Sequence, residues 1–367
     1  MGSKDTISEH QLYITSIWVW LKLLIQNGID KAYLNRYVKI TFFVIITYPL
    51  RLLQSLYLLP KKIKHKELSH DPIFIIGHWR SGTTHLHYLM NVDNQFIGLE
   101  NYQAFFYKIA FLSKWILRPL LNNLMPEKRP QDNIPIDAYA PCEEEHPLTN
   151  NTTMCGMQTF FFPRNKSYFN HYNLFENVDK KKIKKWQAKY HDMLLQIEWF
   201  NKEKKQLLLK NPHNTARIDQ LIKRYPKAKF IFIHRHPSEV YLSMKHLYKK
   251  TISTQFLQET NNDDIEKSIL YFYSKTLKSY LVKKELIPSD QLIEISFTEL
   301  EKSPVKTVEK IYDKLNLSNF ENIVKDLELY CQKNSKYQKN KFESLDDKTI
   351  KKIKQNWNFA FKEWNYT

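Results

Sequence analysis

The feature of this sequence that most constrains its fold is a glycine-containing loop between an apolar strand and a helical pattern. Residues 72–76 read Pro-Ile-Phe-Ile-Ile, and residues 77–84 read Gly-His-Trp-Arg-Ser-Gly-Thr-Thr. A helical pattern then covers residues 83–90. This order directs several backbone N–H groups at one point, where they bind a phosphate or a similar anion. We therefore predict an anion-binding loop at the carboxyl end of a strand.

The side chains of this loop suit an anion but differ from those of a nucleotide kinase. Arg80 supplies a forked positive charge, and Thr83 and Thr84 add hydroxyl donors. The glycine spacing matches a Walker loop, yet Thr83 stands where the Walker lysine belongs. The apolar strand at residues 229–234 is followed by Arg235, where a Walker protein has a magnesium-binding acid. A P-loop kinase or NTPase is therefore disfavoured, although magnesium-dependent phosphoryl transfer would revive it.

A second candidate anion site follows the strand at residues 229–234. Arg235 leaves the tip of this strand, and Ser243 lies eight residues later on the helix that begins at Pro237. Two helical turns allow both side chains to reach one phosphate from different sides. We expect Arg235 and Ser243 to bind one phosphate group together.

Apolar strands alternate with helical patterns along most of the chain. Strands are predicted at residues 72–76, 206–210, 229–234 and 291–296, and helices at residues 83–90, 102–121, 180–201, 215–225, from 237 onward, and 304–315. A proline-punctuated loop is expected at residues 126–147. This alternation predicts an α/β fold with a P-loop-like central parallel sheet flanked by helices.

The first 66 residues are predicted to form an apolar helical extension, and residues 67–367 the main domain. Apolar segments cover residues 12–25 and 37–59, but the second contains an uncharged stretch only from 40 to 50. A membrane-spanning helix needs about 20 predominantly apolar residues. Two interpretations stay open: the segments pack on the main domain, or residues 12–59 lie peripherally in a membrane interface, with Trp18, Trp20, Tyr48 and Tyr57 at headgroup depth.

Charge and cysteine content restrict the protein class only loosely. Lys and Arg number 56 against 38 Asp and Glu, a net charge of +18 that attracts polyanions. A basic membrane- or nucleic-acid-binding module is therefore a third candidate class, although we expect no nucleic-acid partner. The 3 cysteines form no CxxC pair, which suits a reducing compartment and predicts no metal site. No secretory signal is recognisable, so we expect a cytoplasmic protein, either free or peripheral to a membrane.

The two anion motifs, in this order, resemble the superfamily of sulfotransferases that use 3′-phosphoadenosine-5′-phosphosulfate (PAPS). Residues 74–86 are similar to its 5′-phosphosulfate loop and residues 229–243 to its 3′-phosphate motif. Residues 77–84, 129–145 and 210–213 resemble the bacterial-type branch in particular. The cytosolic branch of the superfamily has a lysine in place of Arg80. That branch also has a C-terminal Arg-Lys-Gly loop, which has no counterpart here, and the basic segment 333–341 is a candidate substitute for it.

The resemblance implies sulfonate transfer from PAPS, as co-substrate, to a small-molecule hydroxyl acceptor. It implies that Arg80 and residues 81–84 (Ser81, Gly82, Thr83 and Thr84) bind the 5′-phosphosulfate, and that Arg235 and Ser243 bind the 3′-phosphate. Aromatic residues at 102–115 and 160–172 favour an apolar alcohol, such as a sterol, steroid or lipid, over a saccharide or phenol.

One general base must take the proton of the acceptor hydroxyl. The candidates are His213, which follows Lys210 at a strand end, and the acidic pair Glu143 and Glu145. Lys210 and His213 are predicted to lie beside the loop of residues 77–84, and Glu143 and Glu145 lie in the proline-punctuated loop. The choice between the histidine and the acidic pair stays open.

Overall fold

A parallel sheet lies at the centre of the chain in the computed structural model, which describes residues 10–201, 205–335, 339–340 and 342–367. Within these residues the sheet has 5 strands in the order β2-β3-β1-β4-β5. The strands are β1 (Ile73–Ile76), β2 (Phe96–Ile97), β3 (Gln206–Lys210), β4 (Lys229–His234) and β5 (Leu292–Ser296). Phe74 of β1 pairs with Leu209 on one side and Phe230 on the other. The sequence-based prediction of an α/β fold with a parallel sheet is thus confirmed.

The strands are apolar because helices cover both faces of the sheet. All four residues of β1 are buried, as expected for a central parallel strand. One face packs on a large core that includes Phe74, Trp186 and Trp357. The opposite face packs on a smaller core that includes Leu86 and Ile311. The four predicted strands are observed to within one residue at each end, whereas β2 has only two residues, too few for a recognisable pattern.

The first half of the chain contributes nine α-helices among the described residues. They are α1 (Ile17–Asn27), α2 (Leu34–Ile46), α3 (Tyr48–Lys64), α4 (Thr83–Met90), α5 (Asn101–Phe106), α6 (Ala110–Leu124), α7 (Glu145–Asn151), α8 (Lys166–Leu174) and α9 (Lys180–Asn201).

The second half contributes seven more within the described ranges. They are α10 (Ile218–Arg224), α11 (Pro237–Lys250), α12 (Asn262–Lys283), α13 (Phe297–Lys302), α14 (Pro304–Lys314), α15 (Phe320–Lys333) and α16 (Asp347–Glu363).

Two predicted helices differ from the observed ones. The pattern at 102–121 is split into α5 and α6, and the hydroxyl of Tyr102 lies 3.0 Å from the Ala110 carbonyl and 2.8 Å from the Ser113 hydroxyl across the break. The pattern at 215–225 begins as α10 only at residue 218, because residues 212–216 form a separate 3₁₀ turn capped by the side chain of Asn211. Hydrophobic periodicity does not predict either feature, because each involves a specific side-chain hydrogen bond.

Helix α1 is one of several N-terminal elements that contact the main domain. Trp20 and Leu23 of α1 are buried against Phe161 and Phe169. The backbone N–H of Ser16 donates to the Asn150 carbonyl at 3.0 Å. Helices α2 and α3, by contrast, leave many apolar side chains exposed.

None of the helices within the described ranges combines the length and the hydropathy that a membrane span requires. Residues Lys31–Ile46 and Tyr48–Lys64 meet the length and composition criterion only as a pair, with a bend of 45° between them.

Candidate active site

The loop of residues 77–84, called the phosphate loop after its predicted ligand, leaves β1 in a backbone conformation that requires glycine at two positions. Gly77 has φ 146° and Gly82 has φ 100°, both in the left-handed half of backbone space. A Cβ atom on Gly77 would clash with the carbonyl oxygen of Ile233, and one on Gly82 would clash with the ring of Phe297. Helix α4 begins at Thr83, directly after the loop. The strand, the glycine-containing loop and the helix therefore follow one another in the predicted order, which places the loop at the N-terminus of α4.

The hydroxyl-bearing residues of the loop lie at the start of α4. Ser81 and Thr83 are buried. The Thr84 hydroxyl accepts hydrogen bonds from Arg129 at 3.2 Å and from Lys210 Nζ at 3.3 Å. Two cations from different parts of the chain thus meet at the second threonine of the loop.

The two predicted anion motifs contact each other directly. Arg80 has a positive φ of 70°, and its Nε donates to the Ser243 hydroxyl at 2.8 Å. Arg235 donates to the carbonyl oxygen of Arg80 at 3.3 Å. The Arg235 guanidinium also pairs with Glu239 at 2.6 Å and lies 4.4 Å from the ring centre of Phe297. The structure therefore brings Arg80, Arg235 and Ser243 into one cluster at the carboxyl edge of the sheet.

An acid that the sequence analysis did not single out connects two of the arginines. Asp132 accepts from Arg80 at 2.8 Å and lies 3.2 Å from Arg129 Nε. Burial alone would raise the pKa of Asp132, but Arg129 and Arg80 outweigh it and hold the pKa below its ordinary value. Asp132 lies in the loop predicted at 126–147, where no spacing rule distinguishes it from a solvated acid.

Lys210 and Glu143 form an ion pair beside the phosphate loop. Lys210, the last residue of β3, pairs with Glu143 Oε1. The side chain of Lys210 is 3% exposed and that of Glu143 is 16% exposed. Burial would raise the pKa of Glu143, but Lys210 and His146 outweigh it and lower the pKa. Glu143 is therefore ionised at neutral pH and lies at the rim of the loop.

His213 occupies a more enclosed position. It is 2% exposed, and its ring meets that of Trp79 edge-on with centroids 4.5 Å apart. Its Nδ1 lies 3.2 Å from the side-chain oxygen of Asn211. Burial lowers the pKa of His213 to about 4, although Glu145 acts in the opposite direction. The imidazole is therefore neutral at physiological pH.

Glu145 belongs to a buried ion pair. Its two oxygens accept from Arg217 at 2.6 and 2.8 Å, and both side chains are fully enclosed. Asn211 donates to the same carboxylate at 2.8 Å, and the Gly156 N–H donates at 3.3 Å. Arg217 also donates to the Tyr172 carbonyl at 2.9 Å. This geometry joins four chain segments, and it places Glu145 deeper than Glu143.

The structure adds His146 to the candidate site. The backbone N–H of His146 donates to the Glu143 carbonyl at 3.2 Å, and Nδ1 lies 2.8 Å from the side-chain oxygen of Gln11. Burial lowers the pKa of His146 to about 4, with Glu143 acting in the opposite direction. The N-terminal segment thus reaches the edge of the site, a contact between residues 135 positions apart that no local pattern signals.

The charged side chains around the phosphate loop form ion pairs, but the cations exceed the acids. Within the described ranges, the four cations Arg80, Arg129, Lys210 and Arg235 face the three acids that pair with them, Asp132, Glu143 and Glu239. Together with the loop N–H groups, these cations could hold a ligand with several anionic groups. In the described part of the chain, no group of three His, Cys, Asp or Glu side chains could hold a metal ion.

The segment 333–341 lies only partly within the described residues, since 336–338 and 341 are outside them. Its Asn340 donates to the carbonyl oxygen of Gln131 at 2.9 Å and accepts from Asn133 at 3.0 Å. Asn340 therefore contacts the loop that carries Asp132, next to the arginine cluster.

Comparison with known proteins identifies the family. A model described as "Sulfotransferase family" matches residues 72–322, more than half of the chain. The curated omega-hydroxy-beta-dihydromenaquinone-9 sulfotransferases Stf3 of Mycobacterium bovis and Mycobacterium tuberculosis are each 25% identical over 375 residues, covering 100% of this chain and 95% of the relative. The resemblance to bacterial-type sulfotransferases noted in the sequence is thereby confirmed.

Solved structures share the fold at lower identity. The crystal structure of sulfotransferase STF1 from Mycobacterium tuberculosis H37Rv superposes with a TM-score of 0.62 at 19% identity and covers 97% of this chain and 93% of its own. Sulfotransferase STF9 from Mycobacterium avium gives 0.63 at 14% identity, with 98% and 97% coverage. The phosphate loop and the Arg235 motif both lie inside the matched range, and the chain belongs to the sulfotransferase family.

Proposed function

We propose that this sulfotransferase uses PAPS as its donor and an apolar alcohol as its acceptor. The observation that carries the proposal is the meeting of the two anion motifs, in which Arg80 contacts Ser243 and Arg235 contacts Arg80. A donor with phosphate at both ends of one nucleoside needs two anion sites that are held at a fixed separation. A loop and a strand tip that are hydrogen-bonded to each other supply that fixed separation.

The residues fit the two ends of such a donor. The loop at residues 77–84, with Lys210 and Arg129 at Thr84, would hold the 5′-phosphosulfate. Arg235 and Ser243 would hold the 3′-phosphate, because they lie at the neighbouring strand tip and on α11. PAPS supplies the sulfonate group that is transferred.

The proposed reaction forms one bond and breaks one bond at sulfur. The acceptor oxygen bonds to sulfur as the bond from sulfur to the bridging oxygen of the 5′-phosphate breaks, and the acceptor proton passes to a base. Lys210 and Arg129 would stabilise the negative charge that develops on the departing phosphate oxygen, since preorganised cations act where charge appears.

We assign the general base to Glu143 rather than to Glu145 or His213. Glu143 is partly exposed and pairs with Lys210, which itself contacts the loop. Glu145 is enclosed by Arg217, and His213 is packed against Trp79. A base must reach the proton that it abstracts, so accessibility favours Glu143.

Aromatic rings beside the site support an apolar acceptor. Phe105 of α5 lies 5.9 Å from the His146 ring, and Phe160 lies 6.0 Å from that of Trp79. Both belong to the aromatic segments that the sequence analysis associated with the acceptor. The similar Stf3 proteins carry names that specify an omega-hydroxy-beta-dihydromenaquinone-9 acceptor.

Incubation with ³⁵S-labelled PAPS and a panel of lipid alcohols, sterols, phenols and saccharides tests the donor and the acceptor separately. Labelled product from the lipid or sterol alcohols is expected. Label on saccharides or phenols alone would replace the acceptor assignment while leaving the donor intact. Transfer from adenosine-5′-phosphosulfate at an equal rate would contradict the donor assignment.

Arg235→Ala is expected to weaken binding of 3′-phosphoadenosine-5′-phosphate by roughly 10- to 100-fold, because a hydrogen bond to a charged group contributes about 1.5–3 kcal/mol. Ser243→Ala should have a smaller effect. Adenosine-5′-phosphosulfate, which has no 3′-phosphate, should bind the variant and the parent equally in calorimetry. Glu239→Gln is the matched control, since it removes the surface partner of Arg235 and keeps the arginine. Equal losses for both nucleotides would assign Arg235 to the fold or to the 5′ end.

A further inference from the structure

Three helices expose an unusually large number of apolar side chains. On α2 and α3 these side chains are each half or more exposed and comprise Leu34, Val38, Phe42, Ile45, Ile46, Leu52, Leu53, Leu56, Tyr57, Leu59 and Ile63. On α6, Trp115 is 85% exposed and Ile116 is 73% exposed, with Leu120 and Leu124 beside them. Apolar patches of this extent on a folded chain mark interaction surfaces.

The two exposed regions are neighbours, because α3 packs directly on α6. The side-chain amide of Gln54 donates to the Tyr107 carbonyl at 2.9 Å and accepts from the Phe111 N–H at 2.8 Å. The rings of Tyr57 and Phe111 lie 6.3 Å apart. We call the exposed apolar residues of α2, α3 and α6 the three-helix surface.

Charge around the three-helix surface is almost entirely positive. Residues 31–66 contain eight Lys or Arg and no Asp or Glu, and residues 101–126 contain Lys108, Lys114 and Arg118 and no acid. Among the described residues, Asp192 pairs with Lys62 at 2.8 Å and Glu100 pairs with Arg118 at 2.6 Å. Lysines flank the apolar stretches of these helices with long cationic side chains, as in helices that lie at the surface of an anionic bilayer.

We propose that the three-helix surface docks on a membrane that contains anionic lipids, with α2, α3 and α6 lying in the interface and not crossing it. Apolar side chains enter the acyl boundary while Lys61, Lys64 and Lys114 remain at the headgroups. The surface is continuous with α5, whose Phe105 contacts His146 at the candidate active site. Docking would therefore bring this side of the candidate site next to the lipid phase. The sequence predicted such contact only for residues 12–59, and α6 is the addition made by the structure.

Co-sedimentation of the full chain with vesicles tests the proposal independently of sulfonate transfer. We expect binding to vesicles of equal parts phosphatidylcholine and phosphatidylglycerol, weaker binding to pure phosphatidylcholine, and loss of the difference at high salt. The double variants Phe42→Glu with Leu53→Glu, and Ile116→Glu with Leu120→Glu, should each lower partitioning by about tenfold or more. Val282→Glu is the control, since Val282 is 74% exposed on α12, outside the three-helix surface.

Four results would overturn the proposal. Unchanged partitioning of the two double variants would exclude the three-helix surface, and an equal loss in the Val282 control would show that the effect is general. The parent could instead form dimers without lipid and fail to bind vesicles, while the same variants are monomeric. That result would assign the surface to a second copy of the chain. Protein that resists alkaline carbonate extraction would indicate insertion of the bent α2–α3 pair across the bilayer.

If the charged variants fold poorly, tryptophan fluorescence of the parent protein tests the insertion of α6 instead. Trp115 is 85% exposed, so docking moves its indole from water into lipid. Brominated phosphatidylcholine should quench the parent more than the Trp115→Phe variant. Equal quenching of the two proteins would contradict insertion of α6.

Discussion

Replacing Glu143 by glutamine is expected to lower turnover by about 10²- to 10⁴-fold, the usual effect of losing a general base. Glutamine keeps the size of the side chain but cannot accept the acceptor proton. Because the change also releases Lys210 from its ion pair, affinity for 3′-phosphoadenosine-5′-phosphate should be unchanged or higher. Single-turnover kinetics with labelled PAPS, combined with calorimetry, separates these two effects.

The pH dependence provides a second readout. A base must be deprotonated, so activity falls as pH decreases through its pKa. Burial would raise the pKa of Glu143, but Lys210 helps to hold it below that of an ordinary glutamate. The activity of the enzyme should therefore fall only at a pH below the pKa of an ordinary glutamate. Glu143→Asp should retain a similar limb at reduced turnover, whereas Glu143→Gln should lose it.

His213→Ala is the competing test. If this variant loses turnover and Glu143→Gln retains it, His213 is the base, and the enclosed position beside Trp79 must open during the reaction. If both variants keep near-normal turnover, neither residue is the base, and His146 becomes the next candidate because it lies beside Glu143.

Glu145→Gln is expected to act on stability instead, lowering the free energy of unfolding by about 3–5 kcal/mol. The change leaves the Arg217 charge without its partner in a site where both side chains are 0% exposed. A double variant, Glu145→Leu with Arg217→Met, should recover part of the loss, because it removes the unpaired charge but leaves the Asn211 amide, the Gly156 N–H and the Tyr172 carbonyl without these partners. Denaturant unfolding of the two variants and the parent measures these differences.

A surface ion pair provides the control for this stability effect. Glu299 pairs with Lys310 at 2.7 Å, with side chains 36% and 53% exposed. Glu299→Gln should change stability by less than about 1 kcal/mol, as exposed pairs usually do. A comparable loss in both single variants would mean that burial of the Glu145 pair is not the cause.

The Glu145 pair also predicts a direction for acid unfolding. Arg217 outweighs burial and depresses the pKa of Glu145 in the folded chain. The stabilisation is therefore present above the unfolded-state pKa of about 4.3 and is lost as pH falls through the depressed folded pKa. The parent should lose more stability than the double apolar variant over this acidic window.

The sequence by itself determined the local features on which the anion site depends. Residues 72–84 carry the strand, the two glycines and the helix start that the structure shows, because backbone conformation there depends on nearest neighbours. The same holds for β4 and for the helix start at Pro237. Parallel pairing of these apolar strands follows from burial on both faces, so the α/β fold was also predictable.

Only the tertiary structure decided which charges meet. Arg80 and Ser243 are 163 residues apart, Lys210 and Glu143 are 67 apart, and Arg217 reaches Glu145 across 72 residues. In the sequence, Glu143 and Glu145 are equivalent acids of one loop, yet the fold places one beside the phosphate loop and encloses the other. The same applies to α6, whose apolar residues resemble a core helix until its exposed face beside α3 is known. Propensity and periodicity act over a few residues, whereas ion pairing and exposure depend on where distant segments pack. That packing is what separates Glu143 from Glu145 and exposes the apolar face of α6.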